Sequence, residues 1–327
     1  MADPFIVHGD LASYAEDKIN IKRDHLSDYR GQVNRLRDNL KIYIDDHPDY
    51  NLIKMLGSGS VAKGTALKDL NDMDVAVYIR KADNNPRESQ LINWLVERLR
   101  EAYKNKNVKP EQIQPSAHCA TISFSGTGLD VDVSPVIYDN GADDRGYLIN
   151  KDTGERVLTS IPLHIQFIRK RKDKQPHHFR QLIRMVKWWI KEQKRQAGEG
   201  NDFRFKSFMA EMICAHLSDA GTDFSDYTKS LEAFFVYIIK SGLKQRVSFT
   251  DNYTKDKLPA STGASIEIFD PVNPNNNVAS SYSTADRERI VEAAKDALDA
   301  INEAQYANTR GRAVDCWKRI LGPSFNL

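Results

Sequence analysis

The sequence predicts an α+β protein: a lobe built on a mixed sheet with covering helices, then a helical lobe. Three observations carry that expectation. Met73–Ile79 and Leu129–Val133 alternate apolar and polar residues with the period of two that marks strands covered on one face. From about Pro162 the alternation gives way to long stretches with apolar residues every three to four positions, the period of amphipathic helices. Basic residues thicken at the same place, with eleven Lys and Arg between Arg169 and Arg195 against only Asp173 and Glu192. The boundary is therefore placed near Ser160, giving lobes of 1–160 and 161–327.

In chain order, Asp10 to Lys18 is expected as a short helix opened by an acidic cap. Asp24 to Asp46 is a longer one, with Tyr29, Val33, Leu36, Leu40 and Tyr43 along its buried face. Leu52 to Leu56 reads as a strand that delivers the chain into the turn Gly57-Ser58-Gly59-Ser60, and Ser60 to Lys63 starts a short helix. After the strand beginning at Asp72, Lys81 to Pro86 is a polar loop. Glu88 to Tyr103 is a helix that covers the sheet with Leu91, Trp94, Leu95, Leu99 and Tyr103. Ala120–Ser125 and Leu129–Tyr138 form a hairpin around Gly126-Thr127-Gly128. In the second lobe, His177–Gln193 turns Phe179, Ile183, Val186, Trp189 and Ile190 inward. Phe205–Leu217, Leu231–Ile239, Thr284–Glu303 and Thr309–Leu321 are further helices, and Lys257–Asn277, rich in Pro, Asn, Ser and Gly, is mostly loop.

The chemistry concentrates between Leu56 and Tyr78. Side chains two apart on a strand share a face, so Asp72 and Asp74 point the same way as Ala76 and Tyr78, opposite Met73, Val75, Val77 and Ile79. Carboxylates on a rigid strand are hard oxygen ligands suited to Mg²⁺, which completes its shell with waters and substrate phosphates. The glycine-serine turn upstream can bring backbone N–H groups and a hydroxyl to phosphate oxygens. Asp130 and Asp132 repeat the pattern on a later strand. If the two strands pair, three acids converge and can hold two cations that clamp an in-line phosphoryl transfer. A single D-x-D on a strand is more often a solvated face; two of them behind a Gly-Ser turn favour the site.

Gly59-Ser60, Asp72-Met73-Asp74 and Asp132 together resemble the signature of the DNA polymerase β-like nucleotidyltransferases. Leu182–Trp189 and Phe269–Asn277 are similar to segments of the 2′-5′ oligoadenylate synthases. From Tyr14–Lys18 through Phe203–Met209 to the Asp-Pro-Val-Asn-Pro stretch, the chain resembles the bacterial CD-NTases, cGAS/DncV-like enzymes of anti-phage defence. Clade C, encoded beside HORMA-domain regulators, is the nearer group, and clade D follows. The resemblance implies a polymerase β-like catalytic lobe, a helical lobe and a nucleotide in the cleft between them. It implies a template-independent synthase making a cyclic oligonucleotide, cyclic tri-AMP from ATP. It also implies a HORMA activator, an opposing AAA+ ATPase and an effector nuclease.

On that reading Asp72 and Asp74 bridge two Mg²⁺ ions. Asp132 completes the site beside the attacking hydroxyl and accepts its proton, with Asp130 the alternative and the Asp132-Val133-Ser134-Pro135 match favouring Asp132. Gly59 and Ser60 take the β- and γ-phosphates of the donor. The resemblance assigns Lys187 to the triphosphate, with Ser207 and Lys206 as further contacts. Asp270 and Asn273–Asn277 are expected to shape a loop around the acceptor base. The basic run Arg169–Lys174 could face phosphates, double-stranded DNA included, or be a solvated helix face. His177-His178 reads as surface, and Trp188-Trp189 as one core and one partly exposed aromatic.

The totals narrow the class. At 327 residues, 40% hydrophobic, 28% charged and net +2, the composition is that of a soluble globular protein. Cys119, Cys214 and Cys316 form no C-x-x-C pair, which excludes a disulfide scaffold or zinc site and fits a reducing cytoplasm. No signal peptide opens the chain, and no apolar run approaches membrane-spanning length, so a cytoplasmic protein without a membrane partner is expected. Two rival functions remain: a nucleotidyltransferase that extends RNA or modifies a small molecule or protein, and a nucleic-acid-binding sensor with an inactive cleft.

Overall fold

Strand pairing organises residues 21–166. The computed structural model describes residues 4–45, 49–82, 87–198 and 203–326. Its strands are β1 (Tyr50–Ser58), β2 (Asp72–Lys81), β3 (Ile113–Pro115), β4 (Ala120–Phe124), β5 (Leu129–Tyr138), β6 (Gly146–Ile149) and β7 (Arg156–Thr159). Its helices are α1 (His8–Tyr14), α2 (Arg23–Asp45), α3 (Gly59–Lys63), α4 (Leu91–Tyr103), α5 (Ile161–Lys174), α6 (Phe179–Ala197), α7 (Ser207–Asp219), α8 (Tyr227–Ser241), α9 (Thr284–Gln305) and α10 (Arg310–Leu321).

The sheet runs β1-β2-β5-β4-β3, with β6 and β7 continuing from β5. β2 and β5 are parallel and in register from Asp72 opposite Asp130 to Ile79 opposite Ile137. A parallel pair needs a crossover, and α4 with the β3–β4 ribbon supplies it. The β4–β5 hairpin forms where its turn signal lies: Gly128 takes a positive φ of 66° and its N–H donates to Phe124 O at 2.8 Å. Over one face, Val33, Leu36 and Leu40 of α2 and Leu91, Leu95 and Leu99 of α4 join Met73, Val75, Val77 and Ile79 in a single core.

The other face does not stay polar, as simple alternation predicts. Ala76, Tyr78 and Val136 form a second small core beneath Leu56, Tyr138, Leu148 and Ile161, so β2 is buried on both sides beyond Asp74. Tyr78 is fully buried, and its hydroxyl accepts from Ile161 N at 3.1 Å. Burial pushes the phenol up to about 12. Lys81 belongs to β2 rather than to the following loop, whose residues 83–86 lie outside the described residues.

The second unit joins Met1–Asn20 to Phe167–Leu327, and the division falls within α5 at Gln166, close to Ser160. The first twenty residues group with the C-terminal helices, not with the sheet lobe as expected from chain order. Tyr14 Oη donates to Leu321 O at 3.0 Å and its ring packs edge-on to Phe325, while Tyr227 N donates to His8 Nδ1. The acidic cap is Asp10 acting from the first turn of α1: the N-cap position is Val7, and the Asp10 carboxylate reaches back to accept from Val7 N, while α1 runs on into a π-helical turn at Ala15–Ile19.

α6 is inward-facing over most of its circumference. Trp189 is fully buried, and Trp188 is also buried, donating to Leu321 O at 2.9 Å, so neither tryptophan offers an open face. Among the described residues, no helix is long and apolar enough to cross a membrane.

Candidate active site

The acids stand where the sheet register puts them. Asp74 pairs with Asp132 across the parallel β2–β5 ladder, and Asp72 pairs with Asp130. Directly opposed residues of adjacent strands project to the same face, so all four carboxylates share it with Ser58, which pairs with Asp74 from β1. Thr121 and Ser123 of β4, opposite Asp132 and Asp130, extend this polar strip. Asp72 is exposed; Asp74, Asp130 and Asp132 are half-buried.

Gly59 lies at the rim of this strip. Its φ is +63°, and a Cβ built there would overlap the Asp74 carboxylate. The backbone of the Gly-Ser turn thus passes against the acid it serves, an approach only glycine permits. Ser60 follows in the first turn of α3, with its carbonyl accepting from Thr65 N at 2.9 Å. The turn and the acids are brought together by the β1–β2 antiparallel pair, which ends at Ser58 opposite Asp74.

Asp132 is held from the side. Thr121 Oγ1 donates to Asp132 Oδ1 at 2.5 Å, and Cys119 Sγ lies 3.9 Å from the same hydroxyl. Burial, and then the Asp132 charge, push the Cys119 thiol up to about 11. Sequence reasoning gave neither residue a role at the site, reading Cys119 only as an unpaired thiol; the alternation in β4 was the available signal for Thr121. An all-oxygen donor set with one acid seated on backbone fits a hard cation such as Mg²⁺. Among the described residues no three His, Cys, Asp or Glu side chains are already closed into a ligand cluster; the carboxylates share the face side by side.

The remaining predicted contacts lie on the helical unit. Lys187 of α6 is buried, with Nζ 3.8 Å from the equally buried Glu211 of α7. Lys206 and Ser207 are exposed at the start of α7, and Lys206 N donates to Tyr282 Oη at 2.7 Å. In the Asn-rich loop Asp270 and Asn273 are buried, Asn276 and Asn277 half-buried and Asn275 exposed. Asp270 accepts from Val272 N and Asn276 Nδ2, while Asn277 bonds Ile268 N, Ala279 N and Ile266 O. These side chains hold the loop's own backbone.

The basic run is partly neutralised. Arg171 is 3% exposed, stacked 3.7 Å over Phe167 and paired with Asp251 at 2.9 Å and with Asp219. Lys170 and Lys174 lie 3.5 Å and 3.8 Å from Asp251 and Asp219. The acids that balance this helix come from far along the chain.

Sheet order, register and acid placement describe a nucleotidyltransferase lobe. The fold is that of Vibrio cholerae DncV, matched with a TM-score of 0.71 at 11% identity over 98% of this chain. No family model matches the chain. It is 44% identical to the cyclic AMP-AMP-AMP synthase of Escherichia coli strain MS 115-1 over 99% of both chains. It is 32% identical to the CBASS oligonucleotide cyclase CdnC of E. coli strain KTE188 over 96% of both. The solved structure of E. coli MS115-1 CdnC with ATP aligns with a TM-score of 0.88 over 99% of this chain and all of that one. A complex of the same CdnC with HORMA-deltaN aligns equally well. The chain belongs to the CBASS oligonucleotide cyclases of the CdnC type, nucleotidyltransferases that synthesise cyclic oligonucleotides.

Proposed function

We propose that this enzyme converts ATP into cyclic tri-AMP in anti-phage signalling, in a Mg²⁺-dependent reaction at the Asp72, Asp74 and Asp132 face. The observation that supports it most is the 44% identity over 99% of both chains to a cyclic AMP-AMP-AMP synthase, joined to three acids in register beside Gly59. Gly59 and Ser60 hold the β- and γ-phosphates through backbone N–H and Oγ. Lys187, oriented by Glu211, is assigned with Lys206 and Ser207 to the donor triphosphate. Two Mg²⁺ ions, held by the three aspartates, would supply charge neutralisation at the reacting phosphate. Asp132 takes the proton from the attacking ribose hydroxyl as the oxygen closes on the α-phosphate and pyrophosphate leaves.

A HORMA-domain protein is the proposed activator, by analogy with the complex formed by E. coli MS115-1 CdnC, and a cytoplasmic location is part of the reading. Double-stranded DNA is a further proposed ligand of the basic face. The pairing of Arg171, Lys170 and Lys174 with Asp219 and Asp251 leaves that face less cationic than its composition suggests. Affinity that falls steeply with salt would support DNA binding. Incubation with each NTP and Mg²⁺, with and without a HORMA partner, followed by mass spectrometry, tests the assignment. Cyclic tri-AMP from ATP alone is expected, and its loss in Asp72→Asn and Asp74→Asn; linear tails or an unchanged yield in those variants would overturn it.

A further inference from the structure

We propose that Thr121 is the positioning residue of Asp132, and that its hydroxyl is what distinguishes Asp132 from Asp130 as the third acid. This rests on the proposed role of Asp132. Four carboxylates share the sheet face, and spacing alone makes Asp130 and Asp132 equivalent. Their neighbours on β4 are not equivalent. Thr121, opposite Asp132, donates to Oδ1 at 2.5 Å. Ser123, opposite Asp130, makes no such bond among the described residues.

A threonine on a strand has few χ1 choices, so the backbone of β4 dictates where its hydroxyl stands. A hydroxyl donating to a carboxylate at this separation is a charge-assisted hydrogen bond, stronger than its neutral counterpart and restrictive of the carboxylate's rotation. With Oδ1 engaged, Oδ2 remains for the acid's work, in an orientation set before any ligand arrives. Asp74 has a different neighbour, the Gly59 backbone, which lies so close that an added Cβ would overlap its carboxylate. Asp132 is thus held by a neighbour that contributes no ligand of its own. Partners of this kind typically affect metal affinity or activity by about 10–100-fold when removed.

The test uses the full chain as Thr121→Val, which keeps shape and loses the hydroxyl, and Thr121→Ser, which keeps the hydroxyl. Thr121→Ala replaces the valine variant should its melting midpoint show disturbed packing. Mn²⁺ binding to the nucleotide-free enzyme is read by electron paramagnetic resonance, and kcat and KM for ATP are measured separately. Thr121→Val is expected to weaken Mn²⁺ about 10-fold and lower kcat by about 10–100-fold, with KM little changed. Thr121→Ser should recover most of both. Wild-type Mn²⁺ affinity and kcat in Thr121→Val, or a serine variant as impaired as the valine one, would overturn the proposal. Asp132→Asn separates the two layers. An active Asp132→Asn enzyme sinks the reading of Asp132 itself. An inactive one beside a normal Thr121→Val sinks only the role of Thr121.

Discussion

Replacing Gly59 by alanine tests whether the Gly-Ser turn and the acids form one site. Two effects are expected, and the structure separates them. The first is conformational: φ at Gly59 is +63°, where an L-residue is disfavoured by about 1–2 kcal/mol. The second is local: the new methyl would overlap the Asp74 carboxylate and push it off its position. A displacement of about 1 Å at a reacting group costs on the order of 100-fold in rate. Gly128→Ala is the control, since Gly128 has nearly the same φ, +66°, and nothing within 4 Å of an added Cβ. Both variants should lose a few degrees in melting midpoint, at about 2–4 °C per kcal/mol. Only Gly59→Ala should lose activity, measured as initial ATP consumption or pyrophosphate release. If Gly59→Ala turns over as fast as Gly128→Ala, the close approach of turn and acid has no bearing on catalysis and the argument fails.

Removing Arg171 leaves the half-buried Asp251, among the described residues, with only Lys170 at 3.5 Å, so Arg171→Ala should destabilise by about 1–3 kcal/mol in urea unfolding, with part recovered by adding Asp251→Asn. Tyr78→Phe removes the acceptor of Ile161 N and should destabilise by about 1 kcal/mol; a neutral result would mean that N–H finds another partner. Hydrogen bonds from Arg156 and then Lys81 hold the Glu88 carboxyl down at about 2, against burial that raises it. A depressed folded-state pKa stabilises above the unfolded value of 4.5 and fades as pH falls toward 2. Arg156 is half exposed, so the contribution is about 1 kcal/mol or less. Glu88→Gln should therefore be less stable than wild type at pH 7 and approach it near pH 2.

Local chemistry made much of the site legible. Period-two alternation put Asp72 with Asp74 and Asp130 with Asp132 on shared faces, and glycines marked the turn before the acids and the hairpin after them. Alternation left Tyr78 open between site and packing, because it reports one covered face and cannot foresee that Leu56, Tyr138, Leu148 and Ile161 close over the other. The basic run looked like an open phosphate surface because its balancing acids, Asp219 and Asp251, lie 48 and 80 residues beyond Arg171. The asparagine loop looked ready to present amides, yet the Asn277 amide donates to Ile266 O and the Asp270 carboxylate accepts from Val272 N.

The sequence by itself determined which residues share a strand face or a glycine turn, and so which are proposed for phosphate and cation, since spacing and residue type act locally. Tertiary structure alone decided that β2 and β5 run parallel in register and that Thr121 bonds Asp132 while Ser123 leaves Asp130 alone. It alone decided that the first twenty residues join the last hundred and sixty-one. Such pairings are chosen by burial and hydrogen bonding between segments far apart in the chain, and no local pattern encodes which distant segment will arrive.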